Sequence, residues 1–243
     1  MPDVRRFVRP ALWVVAIALV VVAGTAVSLA YFTGACRIRQ VNFSGNKYLS
    51  TEYLRQLSGI DSYKNLVTLP VGRIAKSLES NPWVEDAKIQ RHLLHTVNIG
   101  VVERKPVAVL DCAGTEILVE GDGYVIARNE AGKFPELPRV HGGDAPPPAT
   151  GSVIADKKTL DCVRVIESMP QPLRDILALG NPFDGRGQVF ITRLGFNIIY
   201  GSATRTSLKN EVLEAITIDV KNNKRKIAYI DVRVPDSPVV KPL

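Results

Sequence analysis

Cysteine and histidine are scarce in this 243-residue chain, with three of each. Cys36, Cys112 and Cys162 are too few for the dense framework of a small exported disulfide scaffold. Cys112 and Cys162 could pair or stay as free thiols, and their spacing does not decide between the two. His92 and His95 stand three apart with no neighbouring cysteine and no third ligand, so a zinc site is not indicated. His141 sits beside Gly142-Gly143 and reads as a loop residue. A Gly-rich phosphate loop, a His-Glu-x-x-His helix and a nucleophile elbow are all missing. No catalytic, cofactor, metal or small-molecule site is therefore recognisable in the sequence. The acidic trio Glu116, Glu120 and Asp122 reads as a solvated hairpin rather than an acid–base pair, and Arg104-Lys105 as a solvated strand end. Aromatic residues do not interleave with the basic run Lys221, Lys224, Arg225 and Lys226, which argues against nucleic acid. A series of alternating strands of about ten residues, the signature of a membrane barrel, is also missing.

Charge is missing altogether from residues 10 to 36. Within that stretch Ala11 to Phe32 is apolar but for Gly24, Thr25 and Ser28. Its 22 residues make a helix of about 33 Å at ~1.5 Å per residue, against a bilayer core of ~30 Å. Arg5, Arg6 and Arg9 precede it and predict a cytoplasmic N-terminus. The expected layout is a tail over 1–10, a transmembrane helix over 11–33, and an extracytoplasmic remainder. Two alternatives are a cleaved signal peptide, with Ser28-Leu29-Ala30 as the small-x-small pattern, and a lipoprotein leader ending at Cys36. The formal charge is +7 overall, and beyond the span it falls to about +5 with mixed signs, a mild basic balance.

The chain after the span shows a regular order. Ile38 to Phe43 is a predicted strand ending at Ser44-Gly45-Asn46. Ser50 is placed to cap a helix, with Leu49 and Leu54 as a hydrophobic staple and Gly59 as its end. A second helix follows Pro70, with Val71, Ile74, Ala75 and Leu78 on one face, and Asn81-Pro82 stops it. Strands follow over Trp83 to Gln90 and Thr96 to Glu103, joined by a turn over His92 to His95. The order β-α-α-β-β lets two helices share one core on one face of a small sheet.

The remainder reads as mostly β with flanking helices, an α+β class for the whole chain. Val107–Leu110, Glu116–Val119 and Gly123–Ala127 have hairpin spacings. The proline-rich loop 142–151 cannot pair. Asp156 is a helix cap before Leu160, Val163 and Ile166. Gln188–Leu194 and Phe196–Tyr200 form another hairpin. A helix from Arg205 carries Leu208, Val212, Ala215 and Ile216 on its predicted apolar face. Lys226–Val234 alternates as a last strand. Pro235-Asp236-Ser237-Pro238 follows, so this strand is expected at a sheet edge, with unpaired main-chain groups open to a partner strand.

The first module has the layout of a POTRA domain. Val41-Asn42-Phe43-Ser44-Gly45-Asn46, Asn81-Pro82-Trp83-Val84 and Val102-Glu103-Arg104-Lys105-Pro106-Val107-Ala108 together resemble the FtsQ/DivIB family of bacterial cell-division proteins. Beyond the module, Ile117 to Tyr124, Leu137 to Gly142 and Ala228 to Arg233 resemble later segments of that family. Leu93-Leu94 departs from it where Trp-Pro is usual. The resemblance implies a POTRA domain over 36–105, an FtsQ-type β domain over 106–234 and a tail over 235–243. It also implies a non-enzymatic scaffold at the division septum of the inner membrane, with the small bitopic proteins FtsB and FtsL as partners. The module's sheet edge and the groove beside its second helix are expected to aid recruitment. On the last strand, Tyr229, Ile230, Val232, Arg233 and Val234 are the candidate partner-binding residues. Of these, Tyr229, Arg233 and Val234 match the positions that meet FtsB in the resembling family, and Pro235 departs from the family pattern. Other readings are a membrane-tethered hydrolase with an unrecognised site and a transport-type POTRA protein.

Overall fold

A computed structural model describes residues 5–32, 36–92 and 95–243. Thr33, at the end of the expected span, and the departure at Leu93-Leu94 lie outside the described residues. The chain divides into two units: Met1–Ser80 with Val84–Glu103, and Asn81–Trp83 with Arg104–Leu243.

The first unit begins with α1 (Arg5–Phe32), which covers the basic cluster and the apolar run. Its described side chains, Trp13 to Thr25 and Ser28, are all exposed. Among the described residues no helix is long and apolar enough to cross a membrane.

The module beyond α1 comprises β1 (Gln40–Ser44), α2 (Thr51–Ser58), α3 (Val71–Glu79), β2 (Val84–His92) and β3 (Thr96–Glu103). The Ser50 hydroxyl accepts the Tyr53 N–H at 3.2 Å, and Gly59 closes α2 in the left-handed region. β3 lies in the middle of the sheet, parallel to β1 and antiparallel to β2. Leu54, Ile74 and Leu78 from the helices bury against Val97, Ile99 and Val101 of β3. Each such side chain contributes roughly 1.5–3 kcal/mol by leaving water.

The second unit holds β4 (Ala108–Cys112), β5 (Thr115–Val119), β6 (Val125–Arg128), β7 (Arg139–His141), α4 (Lys157–Ser168), α5 (Gln171–Arg174), β8 (Leu177–Asp184), β9 (Gly187–Thr192), β10 (Asn197–Gly201), α6 (Thr206–Asn222), β11 (Ile227–Asp231) and β12 (Val239–Pro242). All its strands join one sheet in the order β12-β11-β10-β9-β8-β7-β4-β5-β6. The Asp156 carboxylate caps α4, accepting the Thr159 N–H and hydroxyl at 2.8 and 2.7 Å. Cys162, Val163 and Ile166 of α4 and Leu213 and Val220 of α6 share one core with Phe190, Ile198, Tyr200 and Ile230 of the sheet. Cys112 and Cys162 are free thiols in that core. Burial pushes the Cys162 thiol up to about 12.

Three expectations are corrected here. The buried face of α6 holds only in part to the predicted one: Val212 and Ile216 pack against the core half-buried, but the buried residues are Lys209, Asn210, Leu213, Thr217 and Val220, and Ala215 is exposed. Polar residues hold core positions because they satisfy main-chain groups. The Lys209 ammonium donates to the carbonyls of Tyr200 and Ser202 at 2.9 and 2.8 Å, and Asn210 donates to that of Ser168 at 2.9 Å. Arg104 is not a solvated strand end. It pairs with Glu120 at 2.6 Å, and its guanidinium lies 3.9 Å from the Tyr124 ring centroid. The last strand is not β11. Residues 232–238 turn the chain back, and β12 pairs antiparallel with β11, so the tail itself occupies the expected edge.

Candidate partner-binding edge

β11 lies between β10, which it pairs in parallel, and β12. Its alternation splits the five candidate residues between two environments. Ile230 and Val232 point into the core and are fully buried, so their side chains are closed to a partner. Tyr229 is half-buried, whereas Arg233 and Val234 are exposed, Val234 at 59%. The strand thus gathers Tyr229, Arg233 and Val234 at one end of the sheet but withdraws the other two. Strand geometry ends at Asp231, and Val232 still donates to the Ile199 carbonyl at 3.0 Å.

Paired charges surround this end. Asp231 accepts the Arg233 backbone N–H at 3.0 Å and its guanidinium at 2.8–3.1 Å. Burial raises the Asp231 carboxyl, but these bonds outweigh it and hold the group below the usual carboxylate range. Arg186 pairs with Asp184 at 2.9 Å, and its side-chain and backbone N–H groups hold that carboxyl down to about 2. The Arg186 charge also bears on Asp231. Arg205 grips Asp236 through two bonds of 2.7 and 2.9 Å, and Ser237 N–H donates to the Val234 carbonyl at 3.0 Å. These contacts fix the turn that carries the chain into β12. Arg186 went unnoticed in the sequence; its only signal was the Asp184-Gly185-Arg186-Gly187 turn.

The residues weighed for chemistry are dispersed. Glu116 pairs with Arg139 at 2.6 Å and accepts from Asn129 at 2.8 Å, Glu120 is taken by Arg104, and Asp122 accepts the Tyr124 N–H at 2.9 Å. His95 Nδ1 lies 2.8 Å from the Arg37 carbonyl. Among the described residues no group of three or more His, Cys, Asp or Glu could hold a metal ion.

Comparison with known proteins adds resemblances to this geometry. A model of the FtsQ-type POTRA domain matches residues 36–104. The cell division protein FtsQ of Agrobacterium fabrum is 35% identical over 117 residues, 48% of this chain and 37% of the relative. That of Bartonella bacilliformis is 31% identical over 108 residues, 44% of this chain and 35% of the relative. FtsQ of Caulobacter vibrioides is 26% identical over 211 residues, 85% of this chain and 64% of the relative. The matched stretches span from about a third to just under two thirds of the relatives' own lengths. The chain thus carries an FtsQ-type POTRA domain over residues 36–104 and is similar, over up to 85% of its length, to cell division proteins FtsQ.

Proposed function

We propose that this protein is a non-enzymatic, membrane-anchored scaffold of the bacterial division machinery, linking division proteins at the septum. In this reading residues 1–10 stay in the cytoplasm, 11–33 anchor the chain in the inner membrane, and the POTRA and β domains lie outside the cytoplasm. The exposed apolar side chains of α1, from Trp13 at 71% through Val22 at 64%, support the anchor, because a helix apolar on all sides needs an apolar surround. The partners are FtsB- and FtsL-like proteins, and the docking place is the end of the large sheet around Tyr229, Arg233 and Val234. The observation that carries this reading is the sheet end itself, where half-buried Tyr229 and exposed Arg233 and Val234 sit beside β12, a terminal strand of four exposed residues. Val234→Lys and Tyr229→Ala should each weaken capture of an FtsB-like protein from crosslinked dividing cells by about tenfold or more, the effect of losing ~1.4 kcal/mol. The circular dichroism of both variants should match that of the parent. Undiminished capture by both folded variants would overturn the reading.

A further inference from the structure

The tail strand decides which main chain a partner can reach. Amide direction alternates along a strand. Val232 donates to Ile199 of β10, so Ile230 and Val232 turn toward β10 while Tyr229 and Asp231 turn toward β12. Leu243 donates inward to the Lys226 carbonyl at 3.2 Å. The register shift between Ile227 and Tyr229 places the extra residue on β11, so alternation along β12 is unbroken. Val239, Lys241 and Leu243 therefore turn inward, and the outward positions are Pro238, Val240 and Pro242. Two of these three lack an N–H. A strand added outside β12 would meet one donor, and proline at such positions is a known block to edge pairing.

We infer that β12 is an intramolecular stand-in, and that a partner strand binds by replacing it on β11 rather than by adding outside it. The inference rests on the docking place proposed above. β12 is suited to leave. It has four residues, all exposed, and none belongs to the buried core. Its departure frees the N–H groups of Tyr229 and Asp231 and the carbonyl of Lys226. β12 also shows what the incoming strand should look like. Val240 lies opposite Ile230, Val239 opposite Asp231 and Lys241 opposite Tyr229, with the Lys241 ammonium 5.9 Å from the Tyr229 ring centroid. The expected partner segment runs antiparallel to β11 and reads apolar, apolar, basic.

The test uses three forms of the chain in detergent micelles: the full chain, the chain ending at Ser237, and Asp231→Cys/Val239→Cys in a Cys36→Ser background. Directly opposed residues lie within disulfide reach. The probe is a fluorescent peptide of residues 236–243 carrying Pro238→Thr and Pro242→Thr. Truncation should tighten peptide binding about tenfold or more over the full chain. The oxidised double cysteine should lose binding, and reduction should restore it, with nothing deleted. In the full chain, the Tyr229 and Asp231 amides should exchange with deuterium faster than those of Ile230 and Val232. Equal binding to the oxidised and reduced forms would overturn strand replacement, and so would equal protection of the four amides. The docking place itself is judged separately by the capture of FtsB-like protein with the Tyr229 and Val234 variants, so the two readings can fail independently.

Discussion

Glu103, the last residue of β3, is only 7% exposed, yet it carries a carboxylate. That carboxylate accepts three consecutive backbone N–H groups, from Lys47, Tyr48 and Leu49, at 2.8, 2.7 and 2.9 Å. These donors lie in the loop leading from β1 into α2, so one side chain sets the angle at which α2 enters the core. Glu103→Ala removes the acceptor from all three. A buried donor left unsatisfied costs about 1–3 kcal/mol. The loop is partly open to water, which recovers some of that, and a total near 3 kcal/mol is expected. Glu103→Gln keeps the shape but loses the charge, and one end of its amide is a donor facing donors, so it should cost about 2 kcal/mol. The assay is hydrogen exchange on the full chain, read from peptides covering α2 and β3. A loss of 3 kcal/mol corresponds to roughly 100-fold faster exchange through unfolding of the module. Exchange within threefold of the parent in Glu103→Ala would refute the claim that this carboxylate holds the loop.

Three further outcomes follow from the same reasoning. Lys209 is 1% exposed, and burial, then the charge of Arg205, lowers its pKa. The unfolded chain therefore binds that proton more readily, stability rises with pH as the medium approaches pH ~10, and Lys209→Met should flatten this rise in urea titrations while costing about 2 kcal/mol from two undonated carbonyls. Gly187 has φ +95°, and a Cβ there would lie 2.8 Å from the backbone of Gly201; Gly187→Ala should cost about 3 kcal/mol, seen as a lower urea midpoint with unchanged slope. A reporter fused after Leu243 should be active only outside the cytoplasm, with the full-length chain in the membrane fraction; a mature form starting near Tyr31 would point to a cleaved signal.

The module was legible because its signals are local. The Ser50 cap, the Gly59 stop and the alternation of Val97, Ile99 and Val101 all act within a few residues, and the structure keeps each of them. The large sheet was less legible where long-range pairing decides. β7 is three residues long and is set by parallel pairing on both sides, with β4 and β8, which no local pattern announces. The α6 face was misread in part because Lys209 and Asn210 look like surface residues until the carbonyls they serve are in place. The edge was misread because Pro235 and Pro238 suggest an end to pairing. In the structure they shape a turn, and Val239-Val240 pairs beyond it.

The central claim, that the end of the sheet at β11 receives a division protein, is tested most directly by a photo-crosslinking amino acid placed at Val234 of the full chain in dividing cells. The account predicts a covalent adduct with an FtsB- or FtsL-like protein at position 234, and none at the distant exposed control position Val153. An adduct with such a protein at Val153 and none at Val234 would contradict it.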